Sequence, residues 1–349
     1  MEFGLFHEFQ KAPDASEAEA FAQSFELVDA AERWGLDAMW LAELHFAPER
    51  SVLASPLILA AAIAQRTRRM KIGTAVQVLP LCHPLRLAEE AATVDQISDG
   101  RLIFGVGRSG FPQTYQAYGV PYAESRKRFA ETLEVVKLAW TQERFSYHGK
   151  YFNYENVRLV PKPRQKPTPP IRIAATSTDT YAAIGTLGHA IFVAARIGTL
   201  SELAPLVRGY REAYKAAGHP GAGEVYLRVP VYVAETEERA RREPEESVMH
   251  LFRSVGGQLA VSANLSGARA IEQRAERAQT LQTVNYEDAL RDKMIVGTPE
   301  SVASRLRELR EEIGLDGILA ELNPGSLIPH ALVMNALRLL CQEVMPRFN

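Results

Sequence analysis

Strand-like and helix-like segments alternate along most of this chain, and that rhythm restricts the fold more than any single motif. "EFGLF" (2–6) reads as a strand, and Ala18–Trp34 follows with apolar residues at helical spacing, Phe21, Phe25, Val28 and Ala31. "LDAMWLAE" (36–43) is the second strand; Ser55 as N-cap and Pro56 in the first turn open a helix to about Arg66. "MKIGTAVQV" (70–78) is the third strand and 83–98 the third helix, closed by Gly100. "RLIFGVG" (101–107) is the fourth, with its helix at about Ser125–Thr141. Parallel strands need crossovers of this kind.

After Phe145 the rhythm changes. "FSYHGKYFNYENVRLV" reads as a hairpin around a His-Gly-Lys turn, and the Pro-rich "PKPRQKPTPP" (161–170) leads back to the strands. "IRIAAT" (171–176), "AIFVA" (190–194), "EVYLRVPVYVA" (224–234) and "DGILAEL" (316–322) bring the count to eight, separated by helices at about 200–217 and 297–314. A long, charged, mostly helical stretch covers 235–297. Eight such units favour a closed α/β barrel of the (β/α)8 TIM type over an open sheet. The expectation is one domain over 1–349 with insertions at about 145–170 and 235–297.

Bulk composition narrows the partners. With 349 residues, 46% hydrophobic and 23% charged, the chain has an ordinary globular balance. Its net charge of −2 gives no general attraction to nucleic acid or anionic lipid. The longest apolar run, Pro56 to Ala64, is too short for a bilayer, and "MEFGLF" opens without a signal-peptide pattern. A cytoplasmic location is the expectation. Cys82 and Cys341 offer neither a disulfide framework nor metal spacing, so no metal is expected.

In a barrel of this kind reactive groups gather at the C-terminal strand ends. Those ends carry His7 and Glu8, then Glu43 and His45, then Thr74–Gln77, Gly107-Arg108-Ser109 and Thr176-Ser177-Thr178. Arginine beside hydroxyls at a helix start suits a phosphate, because unpaired N–H groups and the helix dipole add to the guanidinium. "GVGRSG" (105–110) matches a dinucleotide fingerprint, but Pro112 and Pro121 follow, and no helix is expected to begin there. Plainer readings stand beside these: Glu43 and His45 as a structural pair, His7 as a strand-end polar group, Arg108 paired to an acid, Arg126 facing solvent, and the Thr176–Thr180 hydroxyls as helix caps.

Over nearly the whole length the chain resembles the bacterial luciferase-like flavin monooxygenases. The resemblance rests on "GLDAMWLAELHF", "KIGTAVQVLPLCHPLRLAEEAATVDQISDGRLIFGVGRSG", "SR" at 125–126, "VGTPESV" and the tail "NPGSLIPHALVMNALRLLCQEVMP". It implies a TIM barrel that binds reduced FMN, forms a flavin 4a-hydroperoxide with O2 and oxygenates a small organic substrate, with FMNH2 drawn from a separate NAD(P)H:flavin reductase. Carried across by position, Arg108, Arg126, Thr176, Ser177 and Thr180 hold the FMN phosphate. Ala75-Val76 is a non-proline cis peptide beneath the flavin ring, with Gly107 alongside. Glu43 supports the isoalloxazine, and His45 or His7 is the catalytic base. The family's usual Glu-His-His is Glu43-Leu44-His45 here, which leaves light-emitting aldehyde oxidation open. A homodimer through the second and third helices is also implied. Deazaflavin-dependent hydride transfer and a noncatalytic flavin-binding subunit are the competing expectations.

Overall fold

A computed structural model describes residues 1–175, 178–195, 198–263 and 278–348. Its strands are β1 (Glu2–His7), β2 (Ala38–Leu41), β3 (Lys71–Thr74), β4 (Gln77–Val78), β5 (Leu102–Gly107), β6 (Phe145–His148), β7 (Asn153–Val157), β8 (Ile171–Ala174), β9 (Ala190–Ala194), β10 (Val225–Val233), β11 (Ile295–Gly297) and β12 (Gly317–Glu321). Parallel pairing runs β1–β2–β3–β5–β8–β9–β10–β12 and returns to β1, closing an eight-stranded barrel. The main helices on its outside are α1 (Glu17–Arg33), α2 (Pro56–Arg66), α3 (Pro84–Ile97), α4 (Pro112–Ala117), α5 (Ser125–Thr141), α6 (Thr178–Leu187) and α7 (Leu203–Ala216). They are followed by α8 (Glu237–Arg242), α9 (Glu245–Ala263), α10 (Tyr286–Asp292), α11 (Pro299–Ile313) and α12 (His330–Leu339).

Alternation along the strands separates two apolar layers. Phe3, Leu5, Leu41 and Ile72 face outward into the large core between sheet and helices. Phe6, Ala38, Trp40, Ile103, Phe192, Tyr226 and Leu319 face inward and fill the barrel. Trp40 is the largest of the inner group, and two glycines leave it room. A Cβ on Gly4 would come within 2.3 Å of the indole nitrogen, and one on Gly73 within 2.1 Å of its six-membered ring. The N-terminal end is plugged by Arg172, which pairs with Glu2 at 2.8 Å and lies 3.4 Å over the Tyr226 ring. Its guanidinium neighbours, with Lys71, outweigh burial and hold the Glu2 carboxyl below the ordinary range.

Two expectations need correcting. The segment 70–78 is not one strand. It divides into β3 and β4 at Ala75-Val76, whose peptide is cis; beyond it Gln77 and Val78 pair with β5 alone. A helix does begin after "GVGRSG": α4 starts at Pro112. Proline lacks an N–H, but the first helical residue has no intrahelical use for one. The closed barrel, not a missing helix, rules out the open dinucleotide-binding sheet.

The hairpin β6–β7 forms as expected. The stretch after β10 builds α8, α9, α10 and β11, with a small core of its own in which Val248, Leu251, Phe252, Leu281 and Met294 are buried. Among the described residues no helix is long and apolar enough to cross a membrane.

Candidate active site at the barrel mouth

Inward positions at the C-terminal strand ends differ sharply around the ring. From β2 round to β9 they are small: Ala42, Ala75, Gly107, Ala174 and Ala194. From β10 through β12 to β1 they are Arg228, Glu321 and Glu8. One half of the mouth is therefore shallow and apolar, and the other is filled by charge.

On the small side, Glu43 lies just beyond β2 and reaches across to β4. Its Oε2 accepts the Val78 N–H at 2.8 Å and the Gln77 side-chain N–H at 2.5 Å; its Oε1 lies 2.8 Å from His45 Nε2. The side chain is 4% exposed, so three donors satisfy a carboxylate that burial would otherwise penalise. An ionised carboxylate only accepts, which assigns the Nε2 proton to His45 and leaves Nδ1 to accept from the Tyr118 hydroxyl at 3.2 Å. Tyr118 and Phe46 pack against the imidazole at ring-centroid distances of 5.1 and 5.8 Å. Burial, and then the Glu43 charge, push the Tyr118 phenol up, keeping it a donor. Glu43 thus braces the Ala75–Val78 segment and orients His45. Leu44 sends its backbone N–H to the Leu53 carbonyl instead.

The same segment has two features suited to a flat ligand. A Cβ on Gly107 would meet Val76 Cγ2 at 2.5 Å, so that strand end has no space for a side chain. Gln77 Oε1 is buried without a partner, an acceptor left over once the amide N–H has gone to Glu43.

Beyond the small half, Arg108 reaches Ser125 at 3.3 Å, and burial pushes its guanidinium below the usual range. Arg126, at the start of α5, pairs with Asp179 in the first turn of α6 at 2.6 Å. Arg126 is therefore committed to a carboxylate and is half exposed, although it stands beside a helix N-terminus. Thr180 lies in the same first turn. Thr176 and Ser177 fall outside the described residues.

His7 does not belong to the mouth. It shares the outer face with Phe3, Leu5 and its neighbour Leu41, and its ring packs on Phe9 at 5.0 Å. Burial lowers its pKa to about 4, and Nε2 has no partner. A neutral imidazole wedged between sheet and helices is a packing element. Strand parity set against Phe6 would have shown this.

The charged half was missed because its members are scattered along the chain. Glu8 takes a bidentate pair from Arg50, through Nε at 2.7 Å and Nη2 at 2.5 Å. Arg228 bridges Glu8 at 3.4 Å and Glu321 at 2.8 Å, with its guanidinium 3.4 Å over the Phe6 ring. Burial opposes the Arg50 charge, but Glu8 and then Glu321 raise its pKa overall. A charge at every second inward position of otherwise apolar strands, Arg228 in "LRVPV" and Glu321 in "LAEL", was the available signal.

Comparison with known proteins places these features in context. Residues 1–317 match the family described as luciferase-like monooxygenase. The oxygenase component of flavin-dependent trigonelline monooxygenase from Acinetobacter baylyi is 25% identical, the alignment covering 100% of this chain and 96% of that protein. The FMN complex of the oxygenating constituent of 3,6-diketocamphane monooxygenase from Pseudomonas putida superposes with a TM-score of 0.80 at 22% identity, covering 99% of this chain and 98% of that one. An F420-dependent secondary alcohol dehydrogenase does so with 0.76 at 18% identity, covering 100% and 99%. These two structural likenesses speak for the fold alone.

Proposed function

Because this chain belongs to the luciferase-like monooxygenase family, we propose that it is the oxygenase of a two-component system, using reduced FMN and O2 to oxygenate a small organic substrate. The observation carrying the proposal is the small half of the mouth: alanine and glycine at successive strand ends, flanked by Arg108 and the N-terminus of α6. That combination fits a flat ring with a phosphate tail. Ala75, Val76 and Gly107 would meet the ring, and Gln77 Oε1 is an acceptor for a ring N–H. Arg108, Arg126 and Thr180, together with Thr176 and Ser177, would hold the phosphate; Arg126 would first have to share or leave Asp179.

Reduced FMN, when bound, supplies the electrons that activate O2. The chain's own task is positioning and proton control. Glu43 fixes the His45 tautomer, so His45 presents a defined imidazole at the mouth, and Tyr118 connects it to the surface by one hydrogen bond. The Phe46 and Tyr118 rings shield that imidazole from water. A separate NAD(P)H:flavin reductase, a homodimer through α2 and α3, and a cytoplasmic location complete the reading.

A second reading, hydride transfer with a deazaflavin, is favoured by the barrel's likeness to the F420-dependent dehydrogenase. Anaerobic titration with reduced FMN and with a reduced deazaflavin separates them, followed by mixing with O2 in a stopped-flow spectrometer. Saturable binding of FMN and an altered rate of flavin reoxidation are expected. Binding of the deazaflavin alone would overturn the monooxygenase reading.

A further inference from the structure

The charged half of the mouth is not needed to hold a flavin, yet it is built with care. Glu8, Glu321, Arg50 and Arg228 form a closed quartet of two negative and two positive charges. Two atoms are left over: Glu321 Oε1 and Arg50 Nη1 are buried without partners. Glu321 is 2% exposed, its Oε2 already belongs to Arg228, and it borders a cavity with Arg228, Pro230, Lys293, Leu251 and Phe252. As it stands the cavity offers about 20 Å³, room for a water. Its removable walls are Leu251 and Phe252 on α9, which belong to the small separate core rather than to the barrel.

We infer that this cavity is the substrate subsite, and that it selects an uncharged molecule with an apolar body and one N–H or O–H donor for Glu321 Oε1. The inference rests on the monooxygenase reading for its role, but its chemistry comes from the quartet. A buried carboxylate oxygen without a donor forfeits its hydration, and a ligand donor restores the missing bond. Because the four charges already cancel, an ionic ligand brings a charge with nothing to balance it where little water reaches. Lys293, the remaining cation at the wall, is engaged with the Gly198 carbonyl at 2.6 Å and has Asp292 and Glu202 as its charged neighbours.

Four probes of one shape test this: benzyl alcohol, benzoate, benzylammonium and toluene, each titrated by calorimetry against the full-length protein. Benzyl alcohol is expected to bind roughly ten-fold more tightly than the other three, the value of one satisfied buried hydrogen bond. Glu321→Gln leaves the quartet with one uncompensated positive charge, so benzoate should overtake benzyl alcohol. Leu251→Trp fills the cavity and should abolish binding of all four. A wild-type ranking led by an ion or by toluene, no binding of benzyl alcohol, or undiminished binding in Leu251→Trp would each overturn the inference. The wild-type ranking alone decides if Glu321→Gln misfolds. FMN titrated in parallel keeps the two proposals apart: loss of FMN binding speaks against the monooxygenase, and the probe ranking speaks only to the cavity.

Discussion

The two halves of the mouth share one backbone geometry and differ in what their side chains leave open. On β2, β3, β5, β8 and β9 the last inward positions are alanine or glycine, so space remains above the inner core. On β10, β12 and around the end of β1 the equivalent positions carry Arg228, Glu321 and Glu8, and the space is taken up by ion pairs. The barrel fixes where a ligand sits; side-chain size and charge on each arc decide which ligand. The small arc is permissive in shape and strict in volume, and the charged arc is the reverse.

That contrast is open to attack. The largest effect is expected from Arg228→Met, which strips the shared partner from two buried carboxylates. A loss of about 3–5 kcal/mol in urea unfolding follows if the quartet is as interdependent as it looks. A change under 1 kcal/mol would mean the charged arc is solvated like any surface.

His7 checks that the boundary between mouth and outer layer is drawn correctly. Its folded pKa of about 4 lies below the model value of 6.5. The unfolded chain therefore takes up the proton first, so stability is unaffected above pH 6.5 and falls as the pH drops towards 4. The expected loss is up to about 3 kcal/mol, and His7→Phe should remove this share of it. His189, also lowered to about 4 by burial, would account for a drop that remains. An unchanged pH profile in His7→Phe would put the imidazole back in contact with water.

Gly107→Ala tests the volume limit of the small arc. The added methyl collides with Val76, so a stability loss of about 1–3 kcal/mol and weaker FMN binding are expected. Gly110→Ala has nothing within 4 Å of the new Cβ and serves as its control. The smallest effect should come from Tyr118→Phe, about 1 kcal/mol from one partly exposed hydrogen bond. Its readout is the imidazole ¹⁵N spectrum, where the fixed His45 tautomer should give way to a mixture. An unchanged spectrum would show that Glu43 alone sets it.

How far the sequence revealed these arcs follows from distance along the chain. The strand–helix rhythm is local, so the barrel was legible, as was the hairpin. Glu43, His45 and Gln77 stand within one strand-end region and its neighbour, so the small arc could be read. The charged arc joins Glu8 and Arg50 to Arg228 and Glu321, and no local pattern announces a pairing across most of the chain. The side-chain direction of His7 depended on strand parity, which only a fixed inner residue such as Phe6 settles. The helix at Pro112 was missed by treating proline as a breaker at the one position where it is tolerated.

Trp40 has a remoter implication. Wedged between Gly4 and Gly73, the indole acts as a shim that sets how deep the cup above it is. Drift at either glycine would lift it towards the opening and alter which molecules settle there, although neither residue touches them. Variation in selectivity among related barrels is therefore worth seeking in the glycines beneath the cup as well as in its walls.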